Sequence, residues 1–273
     1  AHAKNFRNIK QIALAKSEII NNTKFDGFIV LNADDNFFKF HKKIALKNNL
    51  NVISFGIKNK KSDFKLLKEE KYGKYFKINI KVNKFKKNFL ISNNYQSNIY
   101  NILAALAVMS IYINILKLDK KIFLRFEIPR GRGDFSKIKI KKKTINLIDE
   151  SYNSNPLSLK SAILNYDKID TKNSKKYLLL GDMLELGSHS RKLHESIAPL
   201  INKSKVDKVF VKGNNAKFIF KNLLKSKKGK IFQNNSQIIG LIRNDLNNND
   251  YLMVKASNAT GFNKIVNDLR GLN

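Results

Sequence analysis

The stretch NLIDESYNSNPLSLKSAILNY, residues 146–166, decides the fold. A short apolar run ends in Asp149 and Glu150, a polar loop follows, Asn155 stands where a helix N-cap belongs, and Pro156 occupies the first turn. Leu159, Ile163 and Tyr166 then recur at helical spacing, so the stretch predicts a strand, a loop and a helix. In an α/β sheet, ligands sit at the carboxyl ends of the strands, where these two carboxylates and the helix N-terminus fall. The same residues also suit a capped turn with solvated acids, and this stretch alone does not separate the two readings.

Downstream, KKYLLLGDMLELGSHSRKLHESI, residues 175–197, has the same organisation. A strand stops at Gly181, Asp182 and Glu185 follow in a short loop with Gly187, and a helix containing Leu193 and Ile197 comes next. Two acids in such a loop hold a metal or a substrate amine, or they cap a helix, which is the commoner use. Strands are expected at 144–148, 177–180, 208–212 and 251–255, and Lys255, Ser257 and Asn258 mark the end of the last one. This makes an α/β unit.

Upstream, FDGFIVLNADD (25–35) and NVISFGI (51–57) flank an amphipathic stretch at 36–49, a β-α-β alternation that predicts a parallel sheet. Residues 98–116 carry no charge and are long enough to cross a bilayer. Asn98, Asn101, Ser110 and Asn114 would then enter hydrocarbon, whereas Ile99, Leu103, Leu106 and Ala107 share a helix face, so a buried central helix is expected and no membrane insertion. EIPRGRGD, 127–134, combines a proline with two glycines and sets the expected division into domains 1–128 and 129–273. Arg130 and Arg132 stand beside those glycines, where an arginine can swing onto a phosphate. Near the start, IKQIALAKSEII reads as a helix that sets Lys16 beside Ala13 and Ile20; Lys16 and His2 would by default be surface residues.

The 273 residues are 42% hydrophobic and 10% aromatic, which excludes a disordered tail and leaves two ordinary domains as the expectation. There is no cysteine, so disulfides, cysteine-ligated zinc and a cysteine nucleophile are excluded. The net charge of +32 points to nucleic acid or an anionic membrane surface, but only seven of the basic residues are arginine. Lysine, asparagine, isoleucine and phenylalanine are enriched together along the whole length, as compositional drift of A+T-rich coding DNA would produce. The lysine cluster 139–143 accordingly reads as solvated hairpin or loop, and no specific nucleic-acid partner is expected. The chain starts at Ala1 without a secretory signal, and AHAKNFRNIKQ reads like the interior of a longer protein, truncated at its N-terminus.

Six motifs in order, AHAKNF with AKSEI (15–19), VLNADD (30–35), NIYNILAALAV (98–108), GRGD (131–134), IDESYNSNP (148–156) and GDMLELG (181–187), resemble the Mur ligases. The DESYNSNP and GDMLELG pair is similar to the branch that joins D-alanyl-D-alanine to UDP-N-acetylmuramoyl-tripeptide. The resemblance implies an α/β fold: the C-terminal part of a Mur ligase central ATPase domain, followed by a Rossmann-like C-terminal domain. It implies ATP and Mg2+ as cofactors, an acyl phosphate intermediate, peptidoglycan synthesis in the cytoplasm, and a monomer. By motif position it makes His2 a magnesium ligand, Lys16 the lysine carbamylated in many Mur ligases, Asn101 a neighbour of the adenine, and Arg132 the arginine that reaches the ATP phosphates. Glu150, Tyr152 and Asn153 match the segment bordering nucleotide and substrate, and Asp182, Glu185, Lys255 and Ser257 match loops near the incoming dipeptide. Ser97 departs from the family's histidine, and Ala256 and Asn258 depart from its KGSR-like loop. No G-x-x-x-x-G-K-[ST] occurs, which places the phosphate cradle outside these residues and predicts an inactive fragment. The alternatives are another Mur-like or folylpolyglutamate-type ligase, against which GDMLELG argues, and a basic nucleic-acid-binding module.

Overall fold

The computed structural model describes residues 6, 8–126, 128–140 and 142–271. The chain forms two compact units, Phe6–Glu127 and, from Ile128 on, the C-terminal unit.

The first unit opens with α1 (Ile9–Asn21), β1 (Phe28–Asn32), α2 (Phe38–Lys47) and β2 (Asn51–Gly56). It continues with β3 (Phe64–Tyr72), β4 (Tyr75–Val82), β5 (Phe85–Ile91) and α3 (Gln96–Met109). The sheet order is β1-β2-β3-β4-β5. The expected parallel pairing holds for β1–β2 and β2–β3 only, because β3, β4 and β5 form an antiparallel meander. Its signal was present in the sequence: Gly73 and Asn83 take positive φ, 58° and 52°, in two-residue turns between Tyr72 and Tyr75 and between Val82 and Phe85. That is the local chemistry of tight hairpins.

Helix α3 buries Ile99, Ile102, Leu103, Leu106 and Ala107 against a sheet face that includes Phe64, Ile78, Ile80, Phe89 and Ile91. The uncharged run at 98–116 is not one helix, since α3 stops at Met109 and a turn leads to a short 3-10 segment, Ile115–Lys117. No helix among the described residues is long and apolar enough to cross a membrane. Asp34, just past β1, accepts from the backbone N–H groups of Ile57 (2.6 Å), Lys58 (2.9 Å) and Asn59 (2.6 Å) and from the Tyr100 hydroxyl (2.8 Å). Burial alone would raise this carboxyl, but the four donors outweigh it and hold it below its ordinary value.

The second unit contains β6 (Asp134–Ile140), β7 (Lys143–Glu150), α4 (Pro156–Asp167), β8 (Lys176–Leu180), α5 (Ser190–Glu195) and α6 (Ala198–Lys203). After them come β9 (Lys208–Lys212), α7 (Ala216–Lys221), β10 (Lys228–Phe232), α8 (Asn235–Asn244), β11 (Tyr251–Lys255) and α9 (Phe262–Arg270). The sheet order is β10-β9-β8-β11-β7-β6, parallel except for the β6–β7 hairpin. Helices cover both faces with two apolar layers, one including Leu241, Ile265 and Leu269 and the other Leu159, Ile163 and Ile201. The sequence reading missed β6 and β10, which are the edge strands with the weaker apolar runs.

Not every lysine is solvated. Lys143, at the end of the 139–143 cluster, donates to the Leu246 carbonyl (2.8 Å) just past α8, and Lys176 donates to the Tyr166 and Asp167 carbonyls (both 3.0 Å) at the end of α4. Cations belong at these helix ends, where carbonyls lack partners.

Candidate functional site at the strand ends of the second unit

Parallel register aligns Leu180 of β8 with Lys255 of β11, and Lys255 with Glu150 of β7, so three loops leave the sheet side by side. Their close approach depends on Gly181, where a Cβ would lie 2.6 Å from the Ala256 Cβ and from the Phe262 ring. Ser257 then joins the loops. Its hydroxyl donates to the Ser154 carbonyl (3.1 Å) and accepts from the Leu184 N–H (2.9 Å), and its own N–H donates to the Asp182 carbonyl (3.1 Å).

Lys255, 1% exposed, donates to Glu150 Oε2 (3.1 Å) and to the Asn153 carbonyl (2.9 Å). A buried ammonium is tolerable only when so paired. Asp149 is buried, accepts from the Ser151 N–H (2.9 Å) and hydroxyl (2.6 Å), and faces Arg270 Nη1 at 3.4 Å. The picture of two solvated acids is therefore wrong for this pair. The cap itself stands as read: Asn155 Oδ1 accepts from the Ser158 N–H (2.9 Å), the Ser158 hydroxyl accepts from the Asn155 N–H (3.0 Å), and Pro156 sits in the first turn.

Of the two acids in GDMLELG, Asp182 serves as a cap. It accepts from the N–H groups of Asn214 (3.0 Å), Asn215 (2.9 Å) and Ala216 (2.7 Å), tying the loop after β9 to the loop after β8. Glu185 is exposed at φ 61° and borders a cleft of about 320 Å3 together with Tyr152, Asn153, Ser154, Leu184, Ser257 and Asn258. The sequence reading missed His194, which is fully buried on α5 and accepts from the Met183 N–H through Nε2 (3.0 Å). Burial holds its imidazole below the ordinary value against the pull of the Ser190 carbonyl and Asp182. Its signal was weak, a histidine twelve residues after Asp182 on a helix with no other mark.

The GRGD segment folds back on the β7 loop. Gly131 (φ 78°) accepts from the Tyr152 N–H (3.0 Å), and Gly133 (φ 95°) donates to the Asp149 carbonyl (2.7 Å). A Cβ on Gly131 would lie 2.9 Å from the Tyr152 backbone, so glycine is required there. The Arg132 guanidinium stacks 4.2 Å from the centre of the Tyr152 ring, both side chains exposed, while Arg130 is exposed nearby in sequence.

In the first unit, Lys16 is exposed on α1 at a cavity of about 400 Å3 that Asn32, Asp35 and His41 also border, and Asn101 and Ser97 are exposed on α3. His2 lies outside the described residues. His41 is engaged with the Ala13 carbonyl (3.0 Å), and Asp35 accepts from the Phe37 N–H (2.7 Å). No group of three histidine or carboxylate side chains fit to hold a metal occurs among the described residues. Mg2+ commonly takes only one or two protein ligands beside water and substrate phosphates, and Lys16 and Asp35 border one cavity here.

The chain thus consists of two α/β units, the second with a cleft lined by strand-end loops. The chain belongs to the Mur ligase family: the family's middle domain matches residues 1–109, and its glutamate ligase domain matches residues 132–258. It is 28% identical to the UDP-N-acetylmuramoyl-tripeptide--D-alanyl-D-alanine ligase of Rickettsia prowazekii (strain Madrid E), over 97% of this chain and 58% of that protein. It is 31% identical to the enzyme of the same name from Buchnera aphidicola subsp. Acyrthosiphon pisum, over 98% and 57%. The fold matches MurF of Thermotoga maritima in complex with ADP, with TM-score 0.81 and 21% identity over 100% of this chain and 60% of that one. MurF from Acinetobacter baumannii gives 0.80 at 21% identity over 99% and 57%. The chain thus spans somewhat more than half the length of these relatives.

Proposed function

We propose that this chain supplies the amino-acid-adding half of an ATP-dependent ligase that joins D-alanyl-D-alanine to UDP-N-acetylmuramoyl-tripeptide in cytoplasmic peptidoglycan synthesis. The three-loop cleft carries this reading, because DESYNSNP and GDMLELG, the motifs that resemble this branch of the family, converge on it. The relatives named above bear the same activity in their names.

In the reaction, the tripeptide carboxylate attacks the γ-phosphorus of ATP, releasing ADP and leaving an acyl phosphate. The dipeptide amine then adds to the carbonyl carbon, loses a proton, and expels phosphate. By motif position His2 and, if carbamylated, Lys16 would hold Mg2+, which when bound would screen the phosphate charge. Arg132 leaves the Tyr152 face to meet the transferred phosphate, where two-pronged contact favours arginine over lysine. Glu185, on the rim of the cleft, would take up the dipeptide ammonium. Asp182, Lys255 and Ser257 support that pocket as ties between loops, and Glu150 shares the Lys255 charge. By motif position Asn101 would border the adenine in the first unit, and Tyr152 and Asn153 would border nucleotide and substrate in the second. No phosphate-binding P-loop occurs in the 273 residues, so the chain alone gives no ligation.

The test is the complete polypeptide that contains this chain, assayed with ATP, Mg2+, UDP-N-acetylmuramoyl-tripeptide and D-alanyl-D-alanine. Phosphate release coupled to pentapeptide formation is expected, and its absence with active nucleotide binding would overturn the reading. Arg132→Ala should slow turnover tenfold to a hundredfold, as loss of a charge-assisted contact worth about 1.5–3 kcal/mol requires, and Arg132→Lys should recover little. Lys16→Ala should abolish ligation, with short carboxylic acids restoring part of it.

A further inference from the structure

The GDMLELG loop is tethered at three successive residues. The Asp182 carbonyl accepts from the Ser257 N–H, the Leu184 N–H donates to the Ser257 hydroxyl, and between them the Met183 N–H donates to His194 Nε2 at 3.0 Å. Met183 is 1% exposed and His194 fully buried, so no water replaces that acceptor. Because a backbone N–H only donates, Nε2 must be unprotonated, and the proton sits on Nδ1, 2.7 Å from the Ser190 carbonyl. Ser190 and His194 lie on the same short helix, so the imidazole is fixed in tautomer and orientation by its own helix and holds a loop outside it.

The loop position that follows, Glu185, stands at φ 61°, a left-handed conformation unfavourable for a residue with a side chain. It persists only where the flanking residues are fixed. Leu186 is buried on one side, and the tethers of 182–184 are on the other.

We infer that His194 is a positioning residue for the dipeptide end of the cleft: as the Nδ1–H imidazole it takes the Met183 N–H and so sets where Leu184 and Glu185 stand. This rests on the ligase reading above. His194 does not touch the reacting atoms, and its effect falls on dipeptide capture, leaving nucleotide handling unchanged. A side chain that presents a neutral acceptor at the Nε2 position, such as glutamine, keeps the tether. An apolar side chain of similar size fills the space and leaves the Met183 N–H without a partner.

Nitrogen-15 NMR of the chain labelled at histidine, with amide exchange at Met183, tests the tether without any substrate. An Nδ1–H tautomer and a protected Met183 amide are expected, and an Nε2–H tautomer or a rapidly exchanging Met183 amide overturns the inference. In the complete ligase, His194→Leu should raise the KM for D-alanyl-D-alanine about tenfold, with kcat and the KM for ATP within about twofold of wild type. His194→Gln should return that KM to within about threefold. An unchanged dipeptide KM in His194→Leu, or a glutamine variant no better than leucine, overturns the positioning role. Absence of ligation by the wild-type polypeptide refutes the ligase reading instead, and the tautomer and Met183 exchange then decide the tether alone.

Discussion

Both units place an aspartate just past a strand and use it in the same way. Asp34, after β1, gathers the N–H groups of residues 57–59 beyond β2, and Asp182, after β8, gathers those of residues 214–216 beyond β9. In each case a carboxylate within one of the six motifs is spent on pinning the neighbouring loop. The difference lies around it. Asp34 takes a fourth bond from Tyr100 on α3 and faces Gly56, whose Cβ would lie 3.1 Å from the carboxylate. Asp182 faces Gly213, held at φ 138° with a Cβ position only 2.2 Å from Oδ1. The first pin is buttressed by a helix, whereas the second depends on a glycine. A strand-end acid is therefore better judged by the backbone donors around it than by its motif, and the acid on the rim of the second site is Glu185.

The sharpest way to break the parallel is at those glycines. Gly213→Ala combines a backbone conformation that side chains avoid with a clash against Asp182, and should cost about 3 kcal/mol or more, read as a fall in Tm of the second unit. Gly56→Ala keeps an ordinary φ and meets Ser62 Oγ at 2.9 Å and the Asp34 carboxylate at 3.1 Å, so about 1–2 kcal/mol is expected. Equal losses would show that the second pin does not rest on its glycine.

Removing the carboxylates comes next. Asp34→Ala and Asp182→Ala each strand three backbone N–H groups, and a loss of about 2–3 kcal/mol is expected for each in denaturant unfolding. Only Asp34→Ala frees the Tyr100 hydroxyl, whose ionisation is pushed up chiefly by burial and further by that carboxylate. A spectroscopic titration should therefore show Tyr100 ionising at lower pH in Asp34→Ala, with no corresponding change in Asp182→Ala.

Acid should separate the units. His194 is held neutral below its ordinary value of 6.5, so its contribution is complete above that pH and declines as pH falls from there through the lowered value. Asp34 is held below its ordinary 3.8, so its contribution is complete above that pH and is lost only as the carboxylate protonates below it. The Met183 and Leu184 amides should lose protection before those of Ile57 and Asn59 as pH falls. The reverse order would remove His194 from the account of the second unit.

Much of this was readable from residues. The N-cap at Asn155, the strand ends at Glu150 and Leu180, and β9 and β11 follow from capping chemistry and unbroken apolar runs. The meander of β3 to β5 was less legible because lysines occupy many of its positions and mask the alternation, although the Gly73 and Asn83 turns were in view. At the cleft, the motifs brought forward loops that meet in space but not what each side chain does there. Lys255 and Glu150 are about a hundred residues apart in sequence, and their pairing exists only because β7 and β11 are in register. The same holds for Ser257, a tie between loops that no local pattern could distinguish from a surface serine.

The smallest effect concerns the helix that follows the cleft. α4 begins with a reciprocal cap between Asn155 and Ser158, whereas α3 of the first unit begins at Tyr95 with no side-chain cap bond. Asn155→Ala leaves the Ser158 N–H to water and should cost about 1 kcal/mol, a small but measurable shift in unfolding midpoint. Ser158→Ala removes only the returning acceptor and should cost less. The double variant tests whether the two bonds act as one unit: a combined loss below the sum of the single losses would show that each bond depends on the other. A strictly additive loss would mean that the loop holding Tyr152 and Asn153 is anchored from the Lys255 and Ser257 side instead, through bonds to Asn153 and Ser154 that the cap does not touch.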